Sequence, residues 1–221
     1  QYEVLIKKIF RDNKKEHNFF FLSSRNKKIN NSIFYRQNLI DKIFNIFIRN
    51  LTFLKILNYI FKNVSRFEKI LKYHKIDIIY FLSPNSLAFE VNTIPIITTV
   101  WDLEHKKFNY FPELNFNNEI EKRDLVYQKI LQKSFKIIAE SEITKKNIVK
   151  YYLINENKIA ILPFFVDEDE FNNNTNTISR ISNLINSEYI LYPAQFWSHK
   201  NHIYLVEVMR ILMKQNCKLK L

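Results

Sequence analysis

The most promising binding residues stand in a short polar and basic stretch, YPAQFWSHKNH at residues 192–202. An apolar run from Glu188 to Tyr192 leads into it and predicts a buried strand, and apolar residues from Ile203 to about Gln215 recur at helical spacing. The carboxyl end of a strand, just before a helix, is where α/β sheets bind ligands, and the amino end of the helix favours phosphate. Lys200 adds a full positive charge there. We predict an anion site, with an ordinary solvated turn as an equally weighted alternative.

A second polar group follows a predicted strand, Ile94 to Val100. Asp102, Glu104 and His105 stand within four residues of one another. A carboxylate and an imidazole in one crevice can position or deprotonate a substrate hydroxyl. The alternative is a polar loop in which Asp102 caps the next turn, and the residues alone favour that alternative.

A third segment, AESEITK at residues 139–145, runs from a predicted strand end into a helix start. Ser141 is predicted to cap this helix, and Glu142 lies near its positive end, so a structural role is favoured over a functional one. Other chemistries are excluded by the sequence. A chain without glycine has no Walker A loop, GxGxxG fingerprint or GxSxG elbow, and no Cys/His group has zinc spacing. The single cysteine, Cys217, excludes an internal disulfide and fits a reducing cytoplasm.

The elements that must position these residues alternate between strand and helix. This alternation predicts βαβ units and a mostly parallel sheet. The predicted strands are Asn18–Leu22, Asp77–Leu82, Ile94–Val100, Ile137–Ala139 and Lys158–Phe164, and the predicted helices cover 2–12, much of 33–73, a start at Ser83-Pro84, 118–133 and 141–152.

Residues 172–187 form the polar, asparagine-rich stretch of the chain and predict a linker. Residues 1–171 before it read as one α/β domain, and residues 188–221 after it read as the beginning of a second one. The sequence opens inside an amphipathic pattern and closes on residues that predict a new strand, so we interpret the chain as a fragment at both ends.

The 221 residues carry a net charge of +12, and 47% of them are hydrophobic, which excludes a disordered chain. The whole excess lies in residues 1–75, with 17 lysines and arginines against 5 acidic residues. Between Arg36 and Lys75 nine basic residues surround an apolar stretch, 43–61, opposed by two acidic ones. That stretch predicts either a helix buried against the sheet, slightly favoured, or a helix lying on an anionic membrane surface. No nucleic-acid-reading motif accompanies the charge.

The block at 192–202 resembles the start of the second domain of family 4 glycosyltransferases, especially bacterial surface-polysaccharide enzymes with a PAQFWPHKNH block. Ser198 stands where that block often has proline. The loop WDLEH at 101–105, followed by FPE at 111–113, is similar to the acceptor-side loop of the family, with Trp101 where many relatives have histidine. The segment SEITK at 141–145 is similar to the SE.TK segment of the family.

The resemblance implies a GT-B fold: a Rossmann-like parallel-sheet domain on the acceptor side and the start of a Rossmann-like donor domain. It implies a retaining glycosyltransferase that needs no bound metal or cofactor and takes its sugar from a nucleotide-sugar. The acceptor would be a glycan or lipid-linked glycan in cell-surface polysaccharide biosynthesis, and the enzyme would be cytoplasmic and peripheral on the inner membrane face. The fragment alone is expected to be inactive.

Site residues are carried over by position within these motifs. Lys200 is expected to contact the donor diphosphate, beside an arginine position filled here by Ala194 and Gln195. The expected donor-binding residues are Lys200, Gln195, His199 and Asn201, the catalytic ones Asp102 and His105, and the acceptor-side ones Trp101, Glu104 and Glu142. The rival interpretation is a non-catalytic basic α/β protein that binds a membrane surface or, with less support, nucleic acid.

Overall fold

The computed structural model describes residues 17–24, 31–39, 41, 65–108, 110–111, 119–163, 188–215 and 218–221. They belong to two compact units. The larger unit takes in Tyr2–Leu103 and Lys122–Phe164, and the smaller takes in Glu104–Glu121 and Phe165–Leu221. The predicted linker at 172–187, the predicted helix at 2–12 and the apolar stretch at 43–61 lie outside the described residues.

The described chain alternates between short strands and helices. The strands are β1 (Phe21–Ser23), β2 (Ser32–Phe34), β3 (Ile79–Phe81), β4 (Ile96–Val100), β5 (Lys136–Ala139) and β6 (Ile159–Ile161). The helices are α1 (Arg66–Tyr73), α2 (Glu104–Lys107), α3 (Glu119–Lys133), α4 (Glu142–Tyr152) and α5 (His202–Lys214), with 3₁₀ turns at Ser86–Glu90, Glu156–Lys158 and Ser198–Lys200.

A parallel sheet forms the frame of the larger unit. β3, β4, β5 and β6 lie side by side in chain order, each parallel to its neighbours. All four strands are apolar runs predicted from the sequence, and their ends agree with the prediction within three residues. The predicted Rossmann-like α/β fold class is therefore confirmed.

Two predictions about the secondary structure are wrong. β1 pairs in parallel with β2, with Leu22 opposite Ile33, so the helix expected from Ile33 onward does not begin there. A three-residue strand has too few residues to reveal its period, and its pairing partner begins eleven residues further along the chain. The helix expected at Ser83-Pro84 is instead a 3₁₀ turn that begins at Ser86, where the side chain of Asn85 accepts a hydrogen bond from the backbone N–H of Leu87.

Two clusters of buried side chains hold the helices on the sheet. The first joins α1 and α3 to β3 and β4, and the second joins α3 and α4 to β5 and β6. Ile130 and Leu131 are adjacent on α3, both are fully buried, and each belongs to a different cluster. Helix α3 therefore packs against both halves of the sheet. Each fully buried side chain of this size contributes about 1.5–3 kcal/mol to the free energy of folding.

The segment that enters β4 is anchored by Glu68 of α1. Its side chain is completely buried and accepts hydrogen bonds from the backbone N–H of Asn92 (3.0 Å), the backbone N–H of Thr93 (2.7 Å) and the Thr93 hydroxyl (2.5 Å). Burial alone would raise the pKa of Glu68, but the bonds from Thr93 and Asn92 and the charge of Lys72 hold this pKa below its ordinary value. Helix α1 therefore fixes the approach to the strand that carries Asp102 at its far end.

The absence of glycine shows in the helix ends. α4 begins as predicted, with the Ser141 side chain accepting a hydrogen bond from the N–H of Thr144. It ends at Leu153, which adopts the left-handed conformation at φ 53° with 88% of its surface exposed. A branched residue is unfavourable there, where glycine is the usual choice. Asn201 takes the same conformation before α5 at φ 50°, which asparagine tolerates better.

Candidate functional site

The first candidate site lies where the strands of the larger unit end. Val100 of β4 is opposite Ala139 of β5 in a parallel pair, so the chain segments that leave these strands begin side by side at one edge. Their first residues are Trp101 and Glu140. Ligands of open parallel sheets bind at this edge, and its polar side chains are therefore the ones positioned for chemistry.

Trp101 ties two strand ends together. Its indole Nε1–H donates a 2.6 Å hydrogen bond to the backbone carbonyl of Leu82, the residue that follows β3. The ring is half-buried. This bond sets the path of the chain from β4 towards Asp102, so Trp101 supports the edge of the sheet.

Asp102 is exposed, and its charge acts on one side chain of α3, Tyr127. Burial is the main cause that raises the pKa of Tyr127, with Arg123 lowering it and Asp102 raising it further. Asp102 therefore lies within electrostatic reach of the Tyr127 phenol. An exposed carboxylate in this position can accept a hydrogen bond from a ligand hydroxyl, which is the first requirement for the role predicted from the sequence.

A buried tyrosine joins two helices of the larger unit. Tyr152 of α4 donates a 2.8 Å hydrogen bond to the carboxylate of Asp124 on α3 and is only 4% exposed. Burial raises the pKa of Tyr152, and the bond and charge of Asp124 raise it further. The phenol therefore stays protonated, and its hydrogen bond connects α4 to α3.

Glu140 is the residue that the sequence analysis missed. One oxygen of its carboxylate, Oε1, accepts hydrogen bonds from the hydroxyls of Thr144 (2.6 Å) and Ser141 (3.1 Å). The other, Oε2, is buried and has no hydrogen-bond partner among the described residues. Glu142, the predicted acceptor-side residue, is instead exposed on the first turn of α4. Its position in the sequence could have pointed to it, because Glu140 is the first residue after a predicted parallel strand.

The acceptor-side candidate Glu104 and the catalytic candidate His105 belong to the smaller unit. Glu104 opens α2 with an exposed side chain, and its Oε1 lies 3.5 Å from the Nζ of Lys107. His105 follows it and is 2% exposed, so its imidazole is buried. Glu104 is thus accessible to a ligand and His105 is enclosed by protein.

The predicted donor-binding residues surround the 3₁₀ turn Ser198–Lys200. Tyr192 holds this turn by donating a 2.7 Å hydrogen bond from its hydroxyl to the backbone carbonyl of Lys200. Asn201 then caps α5, its side chain accepting a 3.3 Å hydrogen bond from the N–H of Tyr204. The side chains of Lys200, Gln195 and Asn201 are exposed, and that of His199 is half-buried. The turn therefore presents a cation at the start of a 13-residue helix.

The strand expected at Glu188 to Tyr192 is not a buried one. Tyr189 forms a single parallel bridge with Lys220, which follows α5 in the chain. Leu191 is 72% exposed. Among the described residues of the smaller unit, Met209 is the buried hydrophobic one. The pattern predicted a buried strand, but a single bridge forms there, and the described part of the unit is too small to enclose a strand.

Comparison with known proteins identifies the family. The family model of Glycosyltransferase Family 4 matches residues 19–170. The chain belongs to this family. No curated protein matches the chain. Among solved structures, it is similar to the crystal structure of a glycosyltransferase from Rickettsia africae ESF-5, at 20% identity and a TM-score of 0.47. The match covers 82% of this chain and 44% of that protein, so the chain spans less than half of its length.

Part of the candidate site lies inside the region that the family model matches. Residues 19–170 include the four-stranded sheet and the strand ends with Trp101, Asp102 and Glu140. The turn with Lys200 lies beyond the matched region. Within the described ranges, the chain has no group of three or more His, Cys, Asp or Glu side chains suited to hold a metal ion. In the same ranges, no helix has the length and apolar character to span a membrane.

Proposed function

We propose that this chain is the acceptor-side domain, with the beginning of the donor domain, of a retaining glycosyltransferase of the GT-B type. The enzyme moves a sugar from a nucleotide-sugar to a glycan or lipid-linked acceptor in cell-surface polysaccharide biosynthesis. The observation that carries the proposal is the family match over residues 19–170, which covers the parallel sheet and its polar edge. The family supports a sugar donor and a sugar-accepting substrate, and the finer assignments rest on the site residues.

Lys200 is the residue proposed to hold the donor diphosphate. Its exposed ammonium stands at the amino end of α5, where backbone N–H groups and the helix dipole add to the attraction for phosphate. Gln195, His199 and Asn201 flank it in the same block. In the proposed reaction this cation stabilises the charge that develops on the departing diphosphate, so no resident metal or cofactor is assigned.

Asp102 is the residue proposed to accept the hydrogen bond of the reacting acceptor hydroxyl. Its exposure at the end of β4 supports this assignment. Trp101 supports the edge, and Glu104 and Glu142, both exposed, are proposed to contact the rest of the acceptor. His105 is buried and is therefore proposed to shape the loop or the acceptor pocket from within. Catalysis then consists of holding the hydroxyl, donor and leaving group in line.

The basic residues of the amino-terminal part support binding to a membrane surface. Such binding would bring the enzyme to acceptors that are linked to lipids. Residues 36–75 hold nine basic residues against two acidic ones, an excess of seven positive charges. The described lysines Lys69, Lys72 and Lys75 are exposed on and beyond α1. Each basic residue near an anionic leaflet contributes about 1 kcal/mol. We place the enzyme in the cytoplasm, peripheral on the inner membrane face. Co-sedimentation with anionic and neutral vesicles at low and high salt tests this, with salt-reversible binding to the anionic vesicles expected.

Equal binding to both vesicle types, or none to either, would leave the basic residues as a solvated surface. Binding of duplex or single-stranded nucleic acid at physiological salt, without any binding of nucleotide-sugar, would support the rival basic-protein interpretation. The reaction itself is tested by incubating the full-length protein with a nucleotide-sugar panel and a lipid-linked acceptor extract. Proton NMR of the product then reports its anomeric configuration. Retention is expected, and inversion would contradict the proposed reaction type.

A further inference from the structure

A row of exposed aromatic rings runs across the smaller unit. It consists of Phe108, Tyr110 and Phe111, which follow α2, together with His199 and Trp197 from the Lys200 turn; we name these five residues the aromatic array. Neighbouring ring centroids are 6.0 Å (Phe108 to Tyr110), 4.5 Å (Tyr110 to Phe111), 5.6 Å (Phe111 to His199) and 5.5 Å (His199 to Trp197) apart. Phe111 and Trp197 are 86 residues apart in the sequence, so the fold brings two distant segments together here.

The array faces solvent over most of its length. Tyr110 is 68% exposed, Trp197 is 49% exposed and Phe108 is 38% exposed, while Phe111 and His199 are half-buried. Aromatic rings usually contribute to stability by burial, and a continuous row left open to water does not do so. Contiguous exposed apolar surface on a soluble protein marks an interaction site.

The chemistry of the array fits a chain of sugar rings. The face of an aromatic ring carries negative charge, which attracts the polarised C–H groups on the flat side of a pyranose. The surrounding side chains are polar: Glu104 and Lys107 form an ion pair on α2, and Lys200 is exposed beside His199. These groups can bond sugar hydroxyls at the edges of the stack. A single transferred sugar would cover one ring, whereas a row of ring-to-ring contacts offers stacking positions to several consecutive sugars.

We propose that the aromatic array binds consecutive sugar residues of the acceptor glycan, away from the reacting hydroxyl. The inference rests on the proposed function, because family membership is what makes a sugar the expected ligand. It assigns the preference for longer acceptors to Tyr110, Phe111 and Trp197, and it leaves the donor diphosphate to Lys200.

The test uses the full-length protein on a glycan microarray that includes bacterial surface polysaccharides. Tyr110→Ala is compared with Phe135→Ala, a matched control because Phe135 is an aromatic residue 66% exposed in the larger unit, outside the aromatic array. We expect the wild type to bind oligosaccharides. Tyr110→Ala should weaken this binding about tenfold or more, because one stacking ring is lost. Phe135→Ala should leave the binding unchanged. Trp197→Leu should weaken binding to the same glycans.

Two results would overturn the inference. One is the absence of binding to every glycan, or equal binding by Tyr110→Ala and the wild type. The other is Tyr110-dependent binding of free uridine, adenosine or guanosine, which would make the occupant a nucleobase. Nucleotide-sugar binding is measured by calorimetry on the same preparations. If the wild type binds a nucleotide-sugar but the aromatic variants do not change glycan binding, the role of the aromatic array is rejected and the proposed function stands. If the wild type binds no nucleotide-sugar, the proposed function itself is rejected.

Discussion

Replacing Glu68 by glutamine should strongly destabilise the larger unit. The carboxylate accepts one bond at Oε2 from Asn92 and two at Oε1 from Thr93 in a fully buried position. An amide keeps one acceptor oxygen and turns the other into a donor that faces an N–H group. The change removes one charge-assisted bond, worth about 1.5–3 kcal/mol. It also halves the strength of the other two, because a neutral acceptor bonds about half as strongly.

We therefore expect Glu68→Gln to lower the free energy of unfolding by about 3–5 kcal/mol, the range measured for breaking a buried charged partnership. Urea unfolding followed by far-UV circular dichroism measures the change. Glu121→Gln is the matched control, since Glu121 is exposed on α3 and should change stability by no more than about 0.5 kcal/mol.

The effect of Glu68 should also depend on pH in a defined direction. Its folded-state pKa lies below the ordinary value of 4.5, so the unfolded chain takes up a proton first as the pH falls. The stabilisation is fully present above that value and is lost as the pH falls through the folded pKa. The difference between wild type and Glu68→Gln should thus shrink below pH 4.5. A Glu68→Gln variant as stable as Glu121→Gln at neutral pH would refute the reasoning.

Three further predictions concern the site and the helix ends. Asp102→Ala should lower transfer activity per folded molecule while leaving the melting temperature nearly unchanged, because the side chain is exposed; a lower melting temperature with unchanged activity would favour the capping role. Ser141→Ala should cost about 1 kcal/mol in urea unfolding by removing the bond to the Thr144 N–H, and an unchanged midpoint would contradict the cap. Leu153→Gly should stabilise the protein by about 0.5–1 kcal/mol by relieving the left-handed conformation, and destabilisation would show that the exposed leucine contributes more than its strain.

Local signals in the sequence were sufficient for much of the larger unit. The strands β3 to β6 were predicted because each is an apolar run bounded by polar residues, and α4 was predicted because Ser141 precedes a helical pattern. Family 4 was also recognised from short motifs, and the family match over 19–170 confirms it. These features depend on residues that are close together in the chain.

What escaped prediction depends on contacts between distant residues. The pairing of β1 with β2 and the bonds from Glu68 to Asn92 and Thr93 join separate segments, and no local period reports them. Glu140 was not singled out, because the sequence does not reveal which side chain turns back onto Ser141 and Thr144. The roles of Asp102, His105 and Lys200 remain predictions that require a bound substrate to test.

The most direct test of the account is calorimetric titration of the full-length protein with a panel of nucleotide-sugars. We predict that at least one of them binds. Lys200→Ala should weaken this binding by about 1–2 kcal/mol, or about 5–30-fold, because a charge-assisted bond to the diphosphate is lost. Lys214→Ala, which removes an exposed lysine from the opposite end of α5, should bind like the wild type. No binding of any nucleotide-sugar by the wild type would contradict the proposed glycosyltransferase, and equal affinity of wild type and Lys200→Ala would remove Lys200 from the donor site.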